Sequence, residues 1–549
     1  MVSLVKKNIK GNVYLYLREN KRINGKPKCV MQIYLGSEKE LKETGMLRFA
    51  HDSIIDTYDF GLPCALYQIM QRLDLIRIID ESVPKRQQGL SVGQYMAIAI
   101  LNRCIQPCSK AKIRSWFEAG YLPHFFSSVE TYLNADAYAN HFAYLDDSII
   151  ETIETKLMLK VQQEFGVHWD ELMFDPTNFY TYINPDEDTL LPRHGHPKDG
   201  RPTLNLIGLS LVTAVDGGIP LLSHIYPGNQ QDAPVFRTEL PHLVTRLETL
   251  GIDPKTLMLI FDKGNLSEDA FKMLGEDHLP FLCSIRPSTV KEYHAITAEE
   301  FPFFELPNTK QVGILERSKD VYGKTYRLLI VQNPAQAEWN DINLRKKLAK
   351  TLTAVQTFFA DRLNEKRWSK KEIIEAKIRK LIPKRHLPYF AIGVDGNEGQ
   401  YNLNVAIRPE KVENHSETLG KTYLLTSDLT TPAVNLVWRY RQQYLIERCF
   451  KYLKRPDLLR VRPFFCRTDS SIRGHLFSCV LGLLTLSLLT RHIQQHDKDA
   501  TFDSVLDQLD CIKVSTVKLP GWSGSIKQPN RMDNPSKELY EYLNLAQYL

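Results

Sequence analysis

The sequence predicts an α/β protein: a mixed sheet with helices on its faces, preceded by a small β unit and an all-helical region. Three observations predict it. Between Glu171 and Pro287 the hydrophobic pattern runs strand, strand, strand, helix, strand, helix, strand, an order in which neighbouring strands pair before alternating elements cover them. Upstream the period is first that of strands, then that of helices. The 549 residues are 43% hydrophobic and 24% charged, a globular composition long enough for two to four domains with at least one sizeable core.

Taken in order, Val13–Leu17 and Val30–Tyr34 alternate around a polar segment holding Asn24-Gly25, the dipeptide of a tight hairpin. From Pro63 to about Lys160 the period is helical, with Ala65, Leu66, Ile69, Met70 and Leu73 on one face. Ser91, three residues before Gln94, precedes the apolar run Tyr95–Ile105 as a capping box would. The basic stretch Ser109–Arg114 is either a solvated helix face or a helix that reads a DNA groove. The strands of the α/β part are expected over 172–182, 204–215, 219–226, 256–262 and 280–285, with helices over 233–250 and 267–275. Asp232, ahead of Ala233-Pro234, reads as the cap of the first of these helices.

Residues 286–430 break the pattern. Within 345–385 there are 14 Lys/Arg and 4 Asp/Glu, a local charge of +10 where the whole chain carries +6, mostly in helical sequence that ends before Pro383. Further strands are expected at 401–407 and 422–426, and helices resume near Pro432. The longest apolar stretch, Leu476–Leu489, is shorter than a membrane span needs. With no apolar segment at the start, the reading is a protein without signal peptide or membrane anchor. Nine cysteines in no zinc-like or CxxC spacing point to reduced thiols and a cytoplasmic location.

Three carboxylates stand where chemistry could sit. Asp175 falls within the apolar strand sequence Leu172-Met173-Phe174-Asp175-Pro176, and Asp262 ends the run Leu257–Phe261. Taken singly, either could simply cap a turn at a strand end. Glu447 lies in Trp438–Lys454, where Tyr440, Gln443, Glu447, Lys451 and Lys454 share one face of a continuous helix at 100° per residue. The bland alternative is a solvated helix with a Glu447–Lys451 pair. Together, two strand aspartates and a helix glutamate can supply oxygen ligands to two hard cations, a pairing suited to phosphoryl transfer. The segment 439–473, with 10 Lys/Arg against 3 Asp/Glu, would neutralise a polyanionic substrate.

These residues resemble those of the DDE transposases of bacterial and archaeal insertion sequences, whose third carboxylate lies in a helix of pattern Tyr-x2-Arg-x3-Glu-x6-Lys. Tyr440, Glu447 and Lys454 hold the corresponding places, with Gln443 where the motif has arginine. The stretch Arg193–Pro202 is similar to the basic loop after the first catalytic strand. Pro227-Gly228-Asn229 with Asp232, Phe261–Asn265, Val461-Arg462-Pro463 and Ile472–His475 also resemble family blocks. The resemblance covers roughly residues 10–490. It implies a ribonuclease-H-like catalytic core over 165–288 and 431–495, split by an insertion domain over 289–430. A β unit (1–58) and a helical DNA-binding or dimerisation domain (59–164) would precede it, and a C-terminal segment (496–549) would follow.

The implied activity is metal-dependent cleavage at element ends and strand transfer into target DNA, carried out on the nucleoid. Asp175, Asp262 and Glu447 would hold two Mg²⁺ or Mn²⁺ ions. Tyr440, Gln443, Lys454, Arg193, Lys198, Arg201, Arg462 and Arg473 would contact DNA. The implied partners are the double-stranded terminal inverted repeats, target DNA and a second copy of the chain. Gln443 in place of arginine removes a bidentate phosphate contact, which Arg439 or Arg441 could replace, and leaves open whether ends are released through hairpins. His196 and His475 could order phosphates or be structural. A nuclease of the same fold without strand transfer, and a DNA-binding descendant without catalysis, are the competing readings.

Overall fold

The computed structural model describes residues 2–23, 26–44, 54–84, 89–126, 132–186, 189–198, 203–276, 278–308, 310–416, 418–518 and 525–549. At the N-terminus β1 (Val2–Ile9), β2 (Asn12–Ile23) and β3 (Lys26–Ser37) pair antiparallel, followed by the short helix α1 (Glu38–Thr44). The two predicted strands are parts of β2 and β3. Asn24-Gly25 lies outside the described residues. Strand β1, which the sequence does not announce, carries Lys6, Lys7 and Asn8 in its second half, and these interrupt its apolar alternation.

Strand β4 (Ile54–Asp59) leads into α2 (Gly61–Arg72), α3 (Leu75–Asp80), α4 (Val92–Ile105), α5 (Ile113–Ala119), α6 (Ala135–Phe142) and α7 (Asp147–Phe165). The capping box at α4 forms as predicted: Ser91 Oγ accepts the Gln94 N–H at 3.1 Å and Gln94 Oε1 accepts the Ser91 N–H at 3.0 Å. In the basic stretch 109–114, Lys110 sets its ammonium over the rings of Tyr138 and Phe142, at 5.4 and 5.5 Å. That lysine is a packed cation, while Lys112 and Arg114 of the same stretch are exposed.

The α/β part comprises β5 (Glu171–Thr181), β6 (Arg193–His194), β7 (Asn205–Ala214), β8 (Ile219–Pro227), α8 (Asp232–Thr249), β9 (Met258–Phe261), α9 (Glu268–Glu276) and β10 (Phe281–Ser284). Its strands lie in the order β8-β7-β5-β9-β10. Strand β7 is antiparallel to both neighbours, whereas β5, β9 and β10 are parallel. Strands β9 and β10 are wholly buried and β7 nearly so, which is why they read as continuous apolar runs. Phe236 of α8 meets Phe174 and Phe261 at 4.9 and 4.6 Å, and Phe271 of α9 meets Phe281 at 5.3 Å, fixing both helices on one face of the sheet.

Strands β11 (Phe303–Glu305), β12 (Gln311–Val321) and β13 (Lys324–Gln332) follow. After them come α10 (Pro334–Phe359), α11 (Lys371–Leu381), β14 (Phe390–Asn397), β15 (Gln400–Ile407), α12 (Pro409–Ser416) and β16 (Lys421–Thr426). Strand β16 lies between β10 and β13, so the β portion of this interruption extends the central sheet. Residues 334–416 are different. Leu348, Val355, Phe359, Trp368, Ile374, Ile378, Phe390 and Val405 form a core of their own, separate from the main one.

The remaining elements are α13 (Ala433–Arg441), α14 (Tyr444–Lys454), α15 (Asp469–Gln494), α16 (Phe502–Asp510), β17 (Lys513–Lys518), β18 (Ser525–Pro529) and α17 (Asn534–Tyr542). The continuous helix expected through Trp438–Lys454 is thus corrected to two. The N–H groups of Gln442 and Gln443 bind the carbonyls of Arg439 and Tyr440, three residues back, a tighter turn than the α-helical one. The reason is phase. Buried Leu436 and Val437 precede buried Leu445 and Ile446 by nine residues, about 900° on an unbroken helix, which would turn the two apolar pairs to opposite sides. Helix α15 is long and apolar enough to cross a membrane, but 89% of its apolar window is buried inside the protein. It serves as the central helix, packed on α2, α4 and β8. One contiguous core runs through the helical region, the sheet and the C-terminal helices.

Candidate active site

Strand β5 places Asp175 opposite Leu211 of β7. Side chains alternate along a strand, so Asp175, Thr177 and Phe179 share one face. Lys454 of α14 reaches that face: its Nζ donates to Thr177 Oγ1 at 3.1 Å and lies 5.6 Å from the Phe179 ring centre. Burial pushes the Asp175 carboxyl up to about 7, and the charges of Asp232, Asp262 and Glu447 push in the same direction against the lowering effect of Lys198. Asp175 therefore stands within the electrostatic reach of three further carboxylates, from the ends of β9 and α8 and the first turn of α14.

Asp262 follows β9 and is held from two sides. Its Oδ1 accepts a short hydrogen bond from Ser284 Oγ and another from Tyr440 Oη at 3.3 Å. The same serine oxygen accepts the Lys263 N–H at 3.0 Å, fixing the turn that carries the aspartate. Burial raises the Tyr440 phenol, which keeps it a donor. Glu447 is exposed in the first turn of α14, while Gln443 sits in the turn before it. Arg439 is committed elsewhere, bonded to the part-buried Glu171 at the start of β5 at 2.7 Å. Arg441 is half-buried and has no carboxylate partner among the described residues. With Tyr440, Asn333, Gln336 and Asn340 it lines a cavity of about 380 Å³.

The basic loop docks beside Asp175. Asn178 Nδ2 donates to the His196 carbonyl at 3.0 Å and its Oδ1 accepts the Lys198 N–H at 3.3 Å. Lys198 Nζ donates to the Pro176 carbonyl at 2.6 Å and pairs with Asp232 at 3.3 Å. Close backbone approach holds the loop in place: a Cβ at Gly195 would stand 2.4 Å from the Gly228 carbonyl, and one at Gly228 would stand 1.9 Å from that of Leu206. Asp232 is the first residue of α8 and Gln231 holds the cap position, without a side-chain capping hydrogen bond, so the capping role read from the sequence for Asp232 is not found.

The other predicted DNA contacts are placed less uniformly. Arg193 is turned onto the carbonyls of Pro192 and Thr189, at 2.8 and 3.4 Å. Arg462 stacks its guanidinium over Tyr180 at 4.0 Å. Arg473 pairs with Asp147 at the start of α7 at 2.8 Å. Arg201 lies outside the described residues. His475 is buried, contacts the Val461 carbonyl at 2.9 Å and is held well below the usual histidine range by burial, which is the structural alternative.

Sequence reasoning missed Ser284, Asn178 and the position of Asp232 beside Asp175. The signals were present: Ser284 is a polar residue closing the buried strand Phe281–Ser284, and Thr177-Asn178 is a polar pair inside an otherwise apolar strand.

A surplus of carboxylates offset in part by one lysine matches the donor chemistry of hard divalent cations. Among the described residues, however, no three His, Cys, Asp or Glu side chains are gathered as a group that could hold a metal ion. No family model and no curated protein matches the chain. Among solved structures, the chain is similar to one from the "Cryo-EM structure of piggyBac transposase synaptic complex with hairpin DNA (SNHP)". The TM-score is 0.36 and the identity 9%, over 83% of this chain and 80% of that one. A likeness of that degree transfers no residue role.

Proposed function

We propose that this chain is a transposase of the DDE type, which cleaves DNA at element ends and joins those ends to target DNA. One observation carries the reading: Lys198 bridges part-buried Asp175's strand and Asp232, donating to the Pro176 carbonyl at 2.6 Å and pairing with Asp232 at 3.3 Å, where burial and the charges of Asp232, Asp262 and Glu447 all raise the Asp175 carboxyl. The strand order β8-β7-β5-β9-β10 supports the ribonuclease-H-like core that the sequence resemblance implies. Asp175 on its first strand, Asp262 after its fourth and Glu447 on a later helix are the proposed ligands of two Mg²⁺ or Mn²⁺ ions. Such ions supply Lewis-acid stabilisation and an activated hydroxyl at neutral pH.

The protein's own residues orient the rest. Ser284 and Tyr440 aim Asp262, Lys198 offsets the charge between Asp175 and Asp232, and Lys454 stays at the rim of β5. Arg441, without a carboxylate partner among the described residues, takes the phosphate contact that Gln443 cannot make. Joining two ends requires two sites, so the working unit is a dimer on DNA.

The test is incubation of the full chain, and of Glu447→Gln, with Mg²⁺ or Mn²⁺ and linear DNA bearing the inverted repeats of its own locus. Metal-dependent nicking and joining to a plasmid, absent in the variant, is the expected result. Cleavage without joining would mark a nuclease instead. Binding without cleavage in both metals would mark a non-catalytic DNA-binding protein.

A further inference from the structure

We propose that residues 334–416 form a second DNA-binding surface, a sequence-independent clamp on the phosphate backbone of duplex DNA next to the carboxylate site. The identity of the polyanion rests on the transposase reading; the surface itself does not. Residues 334–416 carry 16 Lys/Arg against 10 Asp/Glu, a net charge of +6 that equals that of the whole chain. The excess is concentrated in 345–385, whose fourteen cations are nearly all exposed. Among the described residues only Arg345 of these fourteen has a carboxylate partner, Asp341 at 2.7 Å. A solvated helix face ordinarily mixes charges of both signs in similar number; within 345–385 fourteen cations stand against four carboxylates.

The cations come from separate elements: α10, the segment after it, α11 and the turn that follows. His386, in the turn after α11, is buried, and its Nδ1 has no hydrogen-bond partner among the described residues. Lys377 of α11 sets its ammonium over the ring of Phe358 of α10 at 4.5 Å, so the two helices that carry most of these cations pack against each other. On α10, Lys346, Lys347 and Lys350 are spaced three and four residues apart, which makes them neighbours on the helix surface. The separate core beneath holds this array rigid, a requirement for meeting phosphates at fixed spacing.

Position ties the surface to DNA rather than to an acidic protein. The first turns of α10 supply Gln336 and Asn340 to the cavity that Tyr440 and Arg441 also line. From Asn340 to Lys350 is ten residues, about 15 Å along the helix. A duplex engaged at Tyr440 and Arg441 would meet the first turns of α10 across this cavity, with a phosphate charge about every 1.7 Å of its axis.

The test uses the full chain and a duplex of unrelated sequence, with affinity measured across a range of salt. Replacing Lys347, Lys350, Arg379 and Lys380 together by glutamine is expected to lower the slope of log K against log salt by roughly 2 to 4, at about 0.9 for each phosphate no longer neutralised. Lys498→Gln with Lys537→Gln, a control at exposed sites outside the surface, is expected to leave the slope unchanged. End cleavage by the quadruple variant at saturating DNA is expected to persist, which separates this surface from the carboxylate site. Circular dichroism and thermal unfolding of the variant establish that it is folded. An unchanged slope in the folded variant would overturn the proposal, as would weakened binding confined to anionic vesicles with duplex affinity intact.

Discussion

Ser284 shows how much a single hydroxyl can organise. It donates to Asp262 and accepts from the Lys263 backbone, so it fixes both the proposed ligand and the turn that presents it. Groups that orient a metal ligand in this way typically change affinity or activity about 10–100-fold when removed. Ser284→Ala is therefore expected to lower metal-dependent cleavage by about that factor and to raise the Mg²⁺ concentration needed for half-maximal rate, with little change in DNA affinity. A cleavage assay titrated with metal measures both. A second residue-scale case lies away from the site. Glu239 is part-buried beside His224, at 3.5 Å, and burial moves its carboxyl from 4.5 to about 7, with Arg246 opposing and nearby carboxylates assisting. Because the folded state holds the proton more tightly, its contribution to stability falls as pH rises from about 4.5 to about 7 and is flat above. Glu239→Gln, which mimics the protonated form, is expected to match the parent at pH 5 and to exceed it at pH 8 by about 1–3 kcal/mol. Urea unfolding at the two pH values checks the sign.

At the scale of elements, the sequence was legible wherever an element's apolar pattern agreed with its local period. The strands 172–182, 204–215, 219–226, 256–262 and 280–285 are found within two residues of expectation, because each is an apolar run bounded by turn residues. Asp175 and Asp262 were visible as charges at the limits of such runs. The break at Gln442-Gln443 was not legible. Glutamine is a good helix former, and only the tertiary contacts that bury Leu436 and Leu445 on different helices require it. Asp232 reads as a helix cap in sequence, and its place beside Asp175 depends on the fold alone. One glycine in β7 also acts at this scale. Gly208 pairs opposite Tyr226, and a Cβ there would stand 2.0 Å from the tyrosine ring. Gly208→Ala is expected to displace that ring from the buried sheet and cost about 2 kcal/mol or more, seen as a lowered midpoint in thermal unfolding.

At the scale of the whole molecule, the two cores meet at a narrow junction. Residues 334–416 are entered from β13 and left into β16, where Gln332 and Lys421 are register partners and the Asn333 N–H binds the Gly420 carbonyl at 2.9 Å. Chain ends that lie side by side let a unit be removed with little disturbance. Replacing 334–419 by a two-residue turn is expected to leave a folded protein whose thermal midpoint moves by less than about 5 °C, while its affinity for unrelated duplex DNA falls. Scanning calorimetry and a binding titration check the two halves of that prediction.

The small sheet that joins the two ends of the chain has a consequence for how the molecule is made. Strand β4 pairs with β17, Asp59 lying opposite Lys513, and the Phe60 and Gly61 N–H groups both bind the Ile512 carbonyl. A ribosome adding about 5–20 residues per second needs roughly 20–90 s to travel between those partners. For that interval the edge of β4 is without the strand it pairs with, and the core that α15 completes has no centre. The core can close only after β17 has been synthesised, so a chain stopped before Lys513 leaves β4 as an open, aggregation-prone edge.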